Sequence, residues 1–333
     1  MKNLAKTLAA GALAIALAGC TVGGSTAAAS SAASSAGSSD EEKTYLVGVL
    51  QLVQHEALDA ATEGFQAALT DAFGDRVTFD VQNAAGDTAT ANTMAASLVA
   101  EECDLVMGNA TAALQALVSA TTTIPVLGTS ITEYGTALGI EDFDGTVGGN
   151  ISGCSDLAPL DQQAAMFDEL LPDAKTIGIL YCSAEPNSIY QANVVKAELE
   201  AAGKTVNVYT FADSNDVSQV TQTACDDCDA LYIPTDNTAA SCTGSIDDVA
   251  MKAETPIIAG EEGIAAGCGI ASLTISYYDL GYATGSMAVR ILNGEDISTM
   301  PIEYAATFTK KYDAARCEKY GIEVSDDYVA MGE

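Results

Sequence analysis

Residues 229–238 read DALYIPTDNT, an apolar run that ends at a proline and is followed at once by a hydroxyl, a carboxylate and an amide. A short apolar run of this kind is typical of a buried strand. In open parallel sheets, ligands bind beyond the carboxyl ends of the strands, where loops and helix N-termini expose backbone donors. The stretch therefore predicts a strand whose end presents polar side chains to a ligand.

The same pattern of an apolar strand followed by an amphipathic helix recurs on both sides of this stretch. After residue 150 the order begins a second time, so the chain contains two comparable halves with strands at 45–50, 77–81, 104–108, 124–128, 176–181, 205–211, 229–234 and 255–260. Short apolar strands that alternate with helices predict parallel sheets covered by helices on both faces. We therefore expect an α/β fold with two lobes, each a parallel sheet flanked by helices, and a cleft between them.

Polar side chains follow most of these strands and are the candidate ligand contacts. They are Gln51, His55, Asn109, Thr111, Thr129, Asn187, Asp236, Asn237 and Glu261, together with Ser155 before the next helix. Taken one at a time, such residues are helix N-caps more often than ligand contacts. The functional interpretation is favoured because both halves of the chain direct such loops toward one cleft.

The sequence offers no convincing catalyst. The chain has one histidine, His55, and contains neither the phosphate-loop pattern G-x-x-x-x-G-K nor the metalloprotease pattern H-E-x-x-H. We therefore expect a binding protein rather than an enzyme, with no cofactor and no metal. A hydrolase that uses Asp236 and Glu261 as paired carboxylates remains the less favoured alternative.

The N-terminus has the features of an exported lipoprotein. Residues 1–20 carry two lysines ahead of a small apolar run that ends at Cys20, which indicates a signal peptide with Cys20 as the lipidated residue. Residues 21–43 are rich in Ser, Ala and Gly and predict a flexible linker. The formal net charge of −33 excludes nucleic acid as a partner.

Eight cysteines remain when Cys20 is set aside, and Cys225 with Cys228 forms a C-x-x-C pair. A thioredoxin-type pair opens a helix after a strand, whereas this pair closes a helix before a strand. Structural thiols or a local disulfide are therefore the preferred interpretation, and sequence cannot choose among the possible pairings.

Several segments in order, including GVLQLVQHEALDAATEGF, MGNATAALQAL, GILYCSAEPNSIYQ, DALYIPTDNTAAS and IIAGEEG, resemble substrate-binding lipoproteins of ABC transporters in the group with tryptophan-binding proteins. The resemblance covers residues 45–324. It implies the type I periplasmic-binding fold, no enzymatic activity, and an aromatic amino acid as ligand. It also implies a monomer that delivers its ligand to an ABC permease and ATPase, held outside the cell membrane by its lipid anchor.

The resemblance further implies three crossings between the lobes, near residues 150–152, 274–276 and 301–304. The N-terminal lobe would then be 44–151 with 275–302, and the C-terminal lobe 152–274 with 303–333. Asp236, with Glu261 as second candidate, would bind the ligand ammonium. Thr111 and Thr129 would hold the carboxylate, and the residues flanking the side chain would be Gln51, His55, Asn187 and Tyr190.

Two departures from the family are thiols, Cys154 and Cys182, where a hydroxyl or amide is expected near the cleft. A bilobed sensor that reports its ligand to a membrane receptor is a second functional class compatible with the sequence. The two classes differ in the partner rather than in the cleft.

Overall fold

The computed structural model describes residues 43–332. The predicted signal peptide, the lipidation site Cys20 and all of the predicted linker before Lys43 lie outside the described residues. Among residues 43–332, no helix is both long enough and apolar enough to cross a membrane.

The first half of the chain builds five strands of a six-stranded sheet, and the sixth is β11 (Glu303–Tyr304) from near the end of the chain. Every neighbouring pair is parallel, in the order β11-β5-β4-β3-β1-β2. Four helices alternate with its first five strands. The elements are β1 (Tyr45–Gln51), α1 (Glu56–Phe73), β2 (Val77–Asn83), α2 (Thr88–Ala100), β3 (Leu105–Asn109), α3 (Thr111–Ala120), β4 (Val126–Ile131), α4 (Tyr134–Leu138) and β5 (Ile151–Ser155).

The second half builds a seven-stranded sheet that includes β12 (Thr309–Tyr312) and β13 (Tyr328–Ala330) from the end of the chain. The order is β13-β12-β10-β9-β8-β6-β7, in which only the pair of β10 and β12 is antiparallel. Its elements are α5 (Leu160–Leu170), β6 (Thr176–Cys182), α6 (Pro186–Ala201), β7 (Thr205–Phe211), α7 (Val217–Asp227), β8 (Ala230–Ile233), α8 (Asn237–Ser241), α9 (Thr243–Ala253), β9 (Ile257–Ala259), α10 (Glu262–Cys268) and β10 (Ala271–Thr274).

The last part of the chain serves both sheets. Its elements are α11 (Tyr277–Leu292), β11 (Glu303–Tyr304), β12 (Thr309–Tyr312), α12 (Ala314–Tyr320) and β13 (Tyr328–Ala330). Because β5 and β11 pair with each other in the first sheet, the chain leaves that sheet after Ser155 and after Tyr304. It returns to the first sheet between Thr274 and Tyr277. The two sheets are thus joined by three short segments.

Each sheet has a hydrophobic cluster on both faces, as expected for parallel strands covered by helices. On one face of the first sheet, α1 packs against α11 at glycine positions. A Cβ atom added at Gly281 would lie 2.0 Å from the carbonyl oxygen of Ala61, and one added at Gly64 would lie 2.1 Å from that of Tyr278. This close approach brings the start of α11 beside the start of α1.

All eight cysteines in the described part of the chain are free thiols. Of the two open alternatives for Cys225 and Cys228, the structure therefore has thiols and not a local disulfide. Cys154 packs its sulfur 3.7 Å from that of Met287 in the core. Cys182 is buried, and its backbone N–H donates a hydrogen bond to Asp236.

Candidate functional site

A narrow cavity lies where the carboxyl ends of the strands of both sheets face each other. It encloses about 290 Å³ of space, much of it in narrow gaps between the lining side chains. An aromatic amino acid does not fit into this space as it stands. The lining residues are His55, Leu58, Ser130, Thr132, Asp156, Asn187, Thr235, Asp236, Asn237, Ala240, Glu261 and Tyr277.

Two of these lining residues carry buried polar atoms without a hydrogen-bond partner of good geometry. They are Oγ of Ser130, at the end of β4, and Oδ1 of Asp156, just after β5. Ser130 has φ +56°, a left-handed conformation that side-chain-bearing residues rarely adopt. Unpaired buried polar atoms and strained backbone both cost free energy and are concentrated at functional sites. The two atoms therefore make this cavity the candidate binding site.

Asp156 is held in place by a tyrosine. Its Oδ2 accepts a hydrogen bond of 2.9 Å from the hydroxyl of Tyr277 at the start of α11. Burial raises the pKa of the Asp156 carboxyl to about 6, and the hydroxyls of Tyr277 and Thr132 oppose the rise. Burial and the nearby carboxylates also raise the pKa of Tyr277 well above its usual value. The carboxylate thus has one oxygen fixed and one oxygen available to a ligand.

The other two carboxyl groups of the cavity cap short helices. Asp236 accepts hydrogen bonds from the backbone N–H groups of Cys182 and Ala239 and from the hydroxyl of Ser188. Glu261 accepts from the backbone N–H groups of Gly263 and Ile264. Burial raises the pKa of Asp236 to about 8, with the charge of Glu185 adding to the rise, and burial raises that of Glu261 to about 7.

The cavity is acidic. Among the described residues that line it there is no lysine or arginine, while three carboxyl groups face it. Removing carboxylates from water favours their neutral form, so these groups are stabilised by a cation that enters the cavity. The arrangement suits a ligand that brings a positively charged group.

Of the residues predicted from sequence, the structure brings His55, Asn187, Asp236, Asn237 and Glu261 together around the cavity. The other six predicted residues do not line the cavity. Gln51 bonds to Asp59 and Thr62 on α1, Asn109 donates to the carbonyl of Leu58, and Thr129 accepts from Thr284 of α11. Ser155 donates to the carbonyl of Thr132. Thr111 is buried at the start of α3, and Tyr190 is half-buried at the edge of the second core.

Six polar contributors to the site are not among the candidate contacts chosen from sequence. Five of them line the cavity: Ser130, Thr132, Asp156, Thr235 and Tyr277. The sixth, Glu185, lies behind the cavity wall and accepts hydrogen bonds from Asn187 and from the backbone and side chains of Asn237 and Thr238. Only Ser130 and Thr235 could have been identified from sequence, because each is a polar residue just after a predicted strand.

The fold and this cavity between two sheets define a class of ligand-binding protein, and comparison with known proteins gives the family. The family of ABC transporter substrate-binding proteins matches residues 46–331, and the chain belongs to it. The predicted type I periplasmic-binding fold is confirmed by the solved relatives. The family is one of binding proteins, in agreement with the expectation from sequence.

Three relatives are particularly similar. A tyrosine-binding protein of Clostridioides difficile is 33% identical over 267 residues, which are 79% of this chain and 77% of the relative. An ABC domain from Streptococcus pneumoniae solved in complex with L-Trp is 34% identical with a TM-score of 0.82, and the match covers 85% of this chain and 97% of that one.

The third relative is a ligand-free, open structure of a substrate-binding protein with adhesive properties from Clostridium difficile. It is 33% identical with a TM-score of 0.66, and the match covers 86% of this chain and 99% of that one. The two solved relatives have nearly equal identity to this chain, but the chain superposes better on the L-Trp complex. The two halves are therefore arranged more as in that complex than as in the open structure.

Proposed function

We propose that the protein captures an aromatic amino acid, Trp, Phe or Tyr, between its two lobes and delivers it to an ABC permease and its ATPase. The observation that carries the proposal is the pair of unpartnered buried atoms, Ser130 Oγ and Asp156 Oδ1, which face one cavity. The similarity to a tyrosine-binding protein and to an L-Trp complex supports the aromatic class.

A buried amino acid zwitterion must have both of its charges paired, because an unpaired buried charge costs several kcal/mol. In this proposal the ligand ammonium binds Oδ1 of Asp156, with Glu261 as its second partner. Asp236 retains fewer free acceptor positions, since three donors already occupy its oxygens, and it shapes the loop beside the ammonium.

The ligand carboxylate is held in the first lobe. The Ser130 hydroxyl donates to it, and the N-terminus of α3 at Thr111 lies at the end of the strand paired with β4. The first N–H groups of a helix have no partner within the helix and carry a partial positive charge, so they stabilise an anion there. Asn187 and His55 then flank the rest of the ligand.

We propose the lobes predicted from sequence, with strands β5 and β11 at their borders belonging to the first lobe. The cavity is too narrow for an aromatic side chain, so the loops that line it must move apart for the ligand to enter and must stay further apart than here while it is held. A ligand stabilises the closed arrangement only by its higher affinity for it. The closed, loaded protein is the form that the permease receives.

Proteins of this family act outside the cytoplasm, and the N-terminal sequence supports the same location here. We propose that Cys20 carries the lipid that attaches a monomeric binding domain to the outer face of the cell membrane. The linker from residue 21 to residue 43 would let the domain reach the permease.

A thermal-shift screen of residues 42–333 against the twenty amino acids tests the proposal. An aromatic amino acid at a hundred times its dissociation constant adds about 2.7 kcal/mol to the stability, a rise of roughly 5 °C or more. N-acetyl-L-tyrosine, which lacks the ammonium, and tyramine, which lacks the carboxylate, are the matched control ligands and should give smaller rises. A screen in which no aromatic amino acid raises the melting temperature would overturn the proposed ligand class.

A further inference from the structure

The only histidine of the chain bridges the cavity. His55 lies in the loop between β1 and α1, and its Nε2 is 3.3 Å from Oδ1 of Asn237, the first residue of α8 in the second half. A second, longer link of 3.4 Å joins Nε2 of Gln191 to Oγ1 of Thr132. These contacts connect the loops of the two sheets without any ligand.

Glu185 fixes which atom of the Asn237 amide faces His55. Oε2 of Glu185 accepts hydrogen bonds from the Asn237 backbone N–H at 2.9 Å and from its side-chain Nδ2 at 2.7 Å. A carboxylate can only accept, so Asn237 must turn Nδ2 toward Glu185 and Oδ1 toward His55. An amide oxygen is an acceptor, so Nε2 of His55 must carry the hydrogen.

We propose that His55 and Asn237 form a latch between the two lobes, and that Glu185 is the positioning residue that gives the latch its polarity. The latch rests on the proposed closure of the lobes, but it is made by the protein alone. It adds to the stability of the closed arrangement and so strengthens ligand binding without touching the charged ends of the ligand.

The ionisation of His55 is consistent with this role. Burial lowers the pKa of His55, while the hydrogen bond to Asn237 and the charges of Glu185 and Asp59 oppose the decrease. The imidazole is therefore mainly neutral at pH 7, and its neutral form with hydrogen on Nε2 still donates to Asn237.

Proton-detected NMR of ¹⁵N-labelled residues 42–333, produced without a histidine tag, tests the latch directly because His55 gives the only imidazole signals. The ligand-free protein should show a slowly exchanging Nε2–H proton. Asn237→Ala should abolish that signal, and Asn215→Ala, which alters an exposed asparagine bonded only to nearby Asp213, should retain it. Absence of the signal from the wild-type protein, or its persistence in Asn237→Ala, would overturn the latch.

Affinity for L-tyrosine and L-tryptophan gives a second readout. His55→Phe keeps a ring without a donor and should weaken binding roughly two- to tenfold, whereas His55→Gln can still donate and should recover part of that loss. Unchanged affinity in His55→Phe would overturn the latch while leaving the proposed function intact. If the wild type binds neither amino acid, the proposed function fails and the NMR result alone decides on the latch.

Discussion

Asp156→Asn should raise the stability of the free protein and weaken ligand binding at the same time. Asparagine keeps the shape of the side chain and can still accept the hydrogen bond from Tyr277, but it removes the buried charge. The pKa of Asp156 rises from 3.8 to about 6 on folding, mainly through burial. A carboxyl group whose pKa is raised on folding destabilises the protein at any pH above that pKa.

The size of each effect follows from the structure. A rise of about two pKa units corresponds to about 3 kcal/mol at pH 7. This is the upper bound on the increase in the free energy of unfolding of the ligand-free protein that Asp156→Asn can give. In the complex, the same change leaves the ligand ammonium without its main partner. Breaking a buried charge pair in this way costs about 3–5 kcal/mol, or a factor of roughly 10² to 10³ or more in the dissociation constant.

Urea denaturation of the free protein and calorimetric titration with L-tyrosine measure the two effects separately. Asp216→Asn is the matched control, because Asp216 is exposed and its side chain makes no capping hydrogen bond. It should change neither quantity. An Asp156→Asn protein that binds as tightly as the wild type would refute the role given to the unpartnered carboxylate oxygen.

Three further predictions follow from the same contacts. Ser130→Ala removes a donor to the ligand carboxylate and should weaken binding by about 1.5–3 kcal/mol in calorimetry. Ser272→Ala, which removes an unpartnered buried hydroxyl outside the cavity, should leave the affinity unchanged. Equal affinities in the two variants would contradict the proposed carboxylate site. Lowering the pH from 8 to 5 protonates Asp236, Glu261 and Asp156, whose pKa values are about 8, 7 and 6. The free protein should therefore gain stability while its affinity for L-tyrosine falls. A melting temperature and an affinity that change in the same direction would contradict this. Gly281→Ala should lower the free energy of unfolding by about 1–3 kcal/mol or more in urea denaturation, because its Cβ would meet the carbonyl of Ala61. Gly244→Ala is the control, because its Cβ meets nothing within 4 Å, and it should raise the free energy of unfolding by up to about 1 kcal/mol.

The sequence predicted the long elements well because their patterns are local. The strand at 205–211 has the predicted boundaries, and the strand at 45–50 ends one residue later than predicted, at Gln51. The strand Ile151–Ser155, ISGCS, was not predicted, since small and polar residues replace the usual apolar run. It is buried because β4 and β11 pair on either side of it.

The site was predictable only in part, because the end of a strand does not determine where its side chains turn. Gln51 and Asn109 are the last residues of β1 and β3, and both bond to α1, which crosses the same edge of the sheet. The free oxygen of Asp156 depends on Tyr277, 121 residues later in the chain. Asp156 and Tyr277 come together only because α11 packs beside α1, and this contact cannot be read from the sequence.

The most direct test of the account is a crystal structure of residues 42–333 grown with L-tyrosine. We expect one molecule in the cavity, with its ammonium within hydrogen-bond distance of Asp156 Oδ1 and its carboxylate within hydrogen-bond distance of Ser130 Oγ. A ligand whose carboxylate faces Asp156, or one bound outside this cavity, would contradict it.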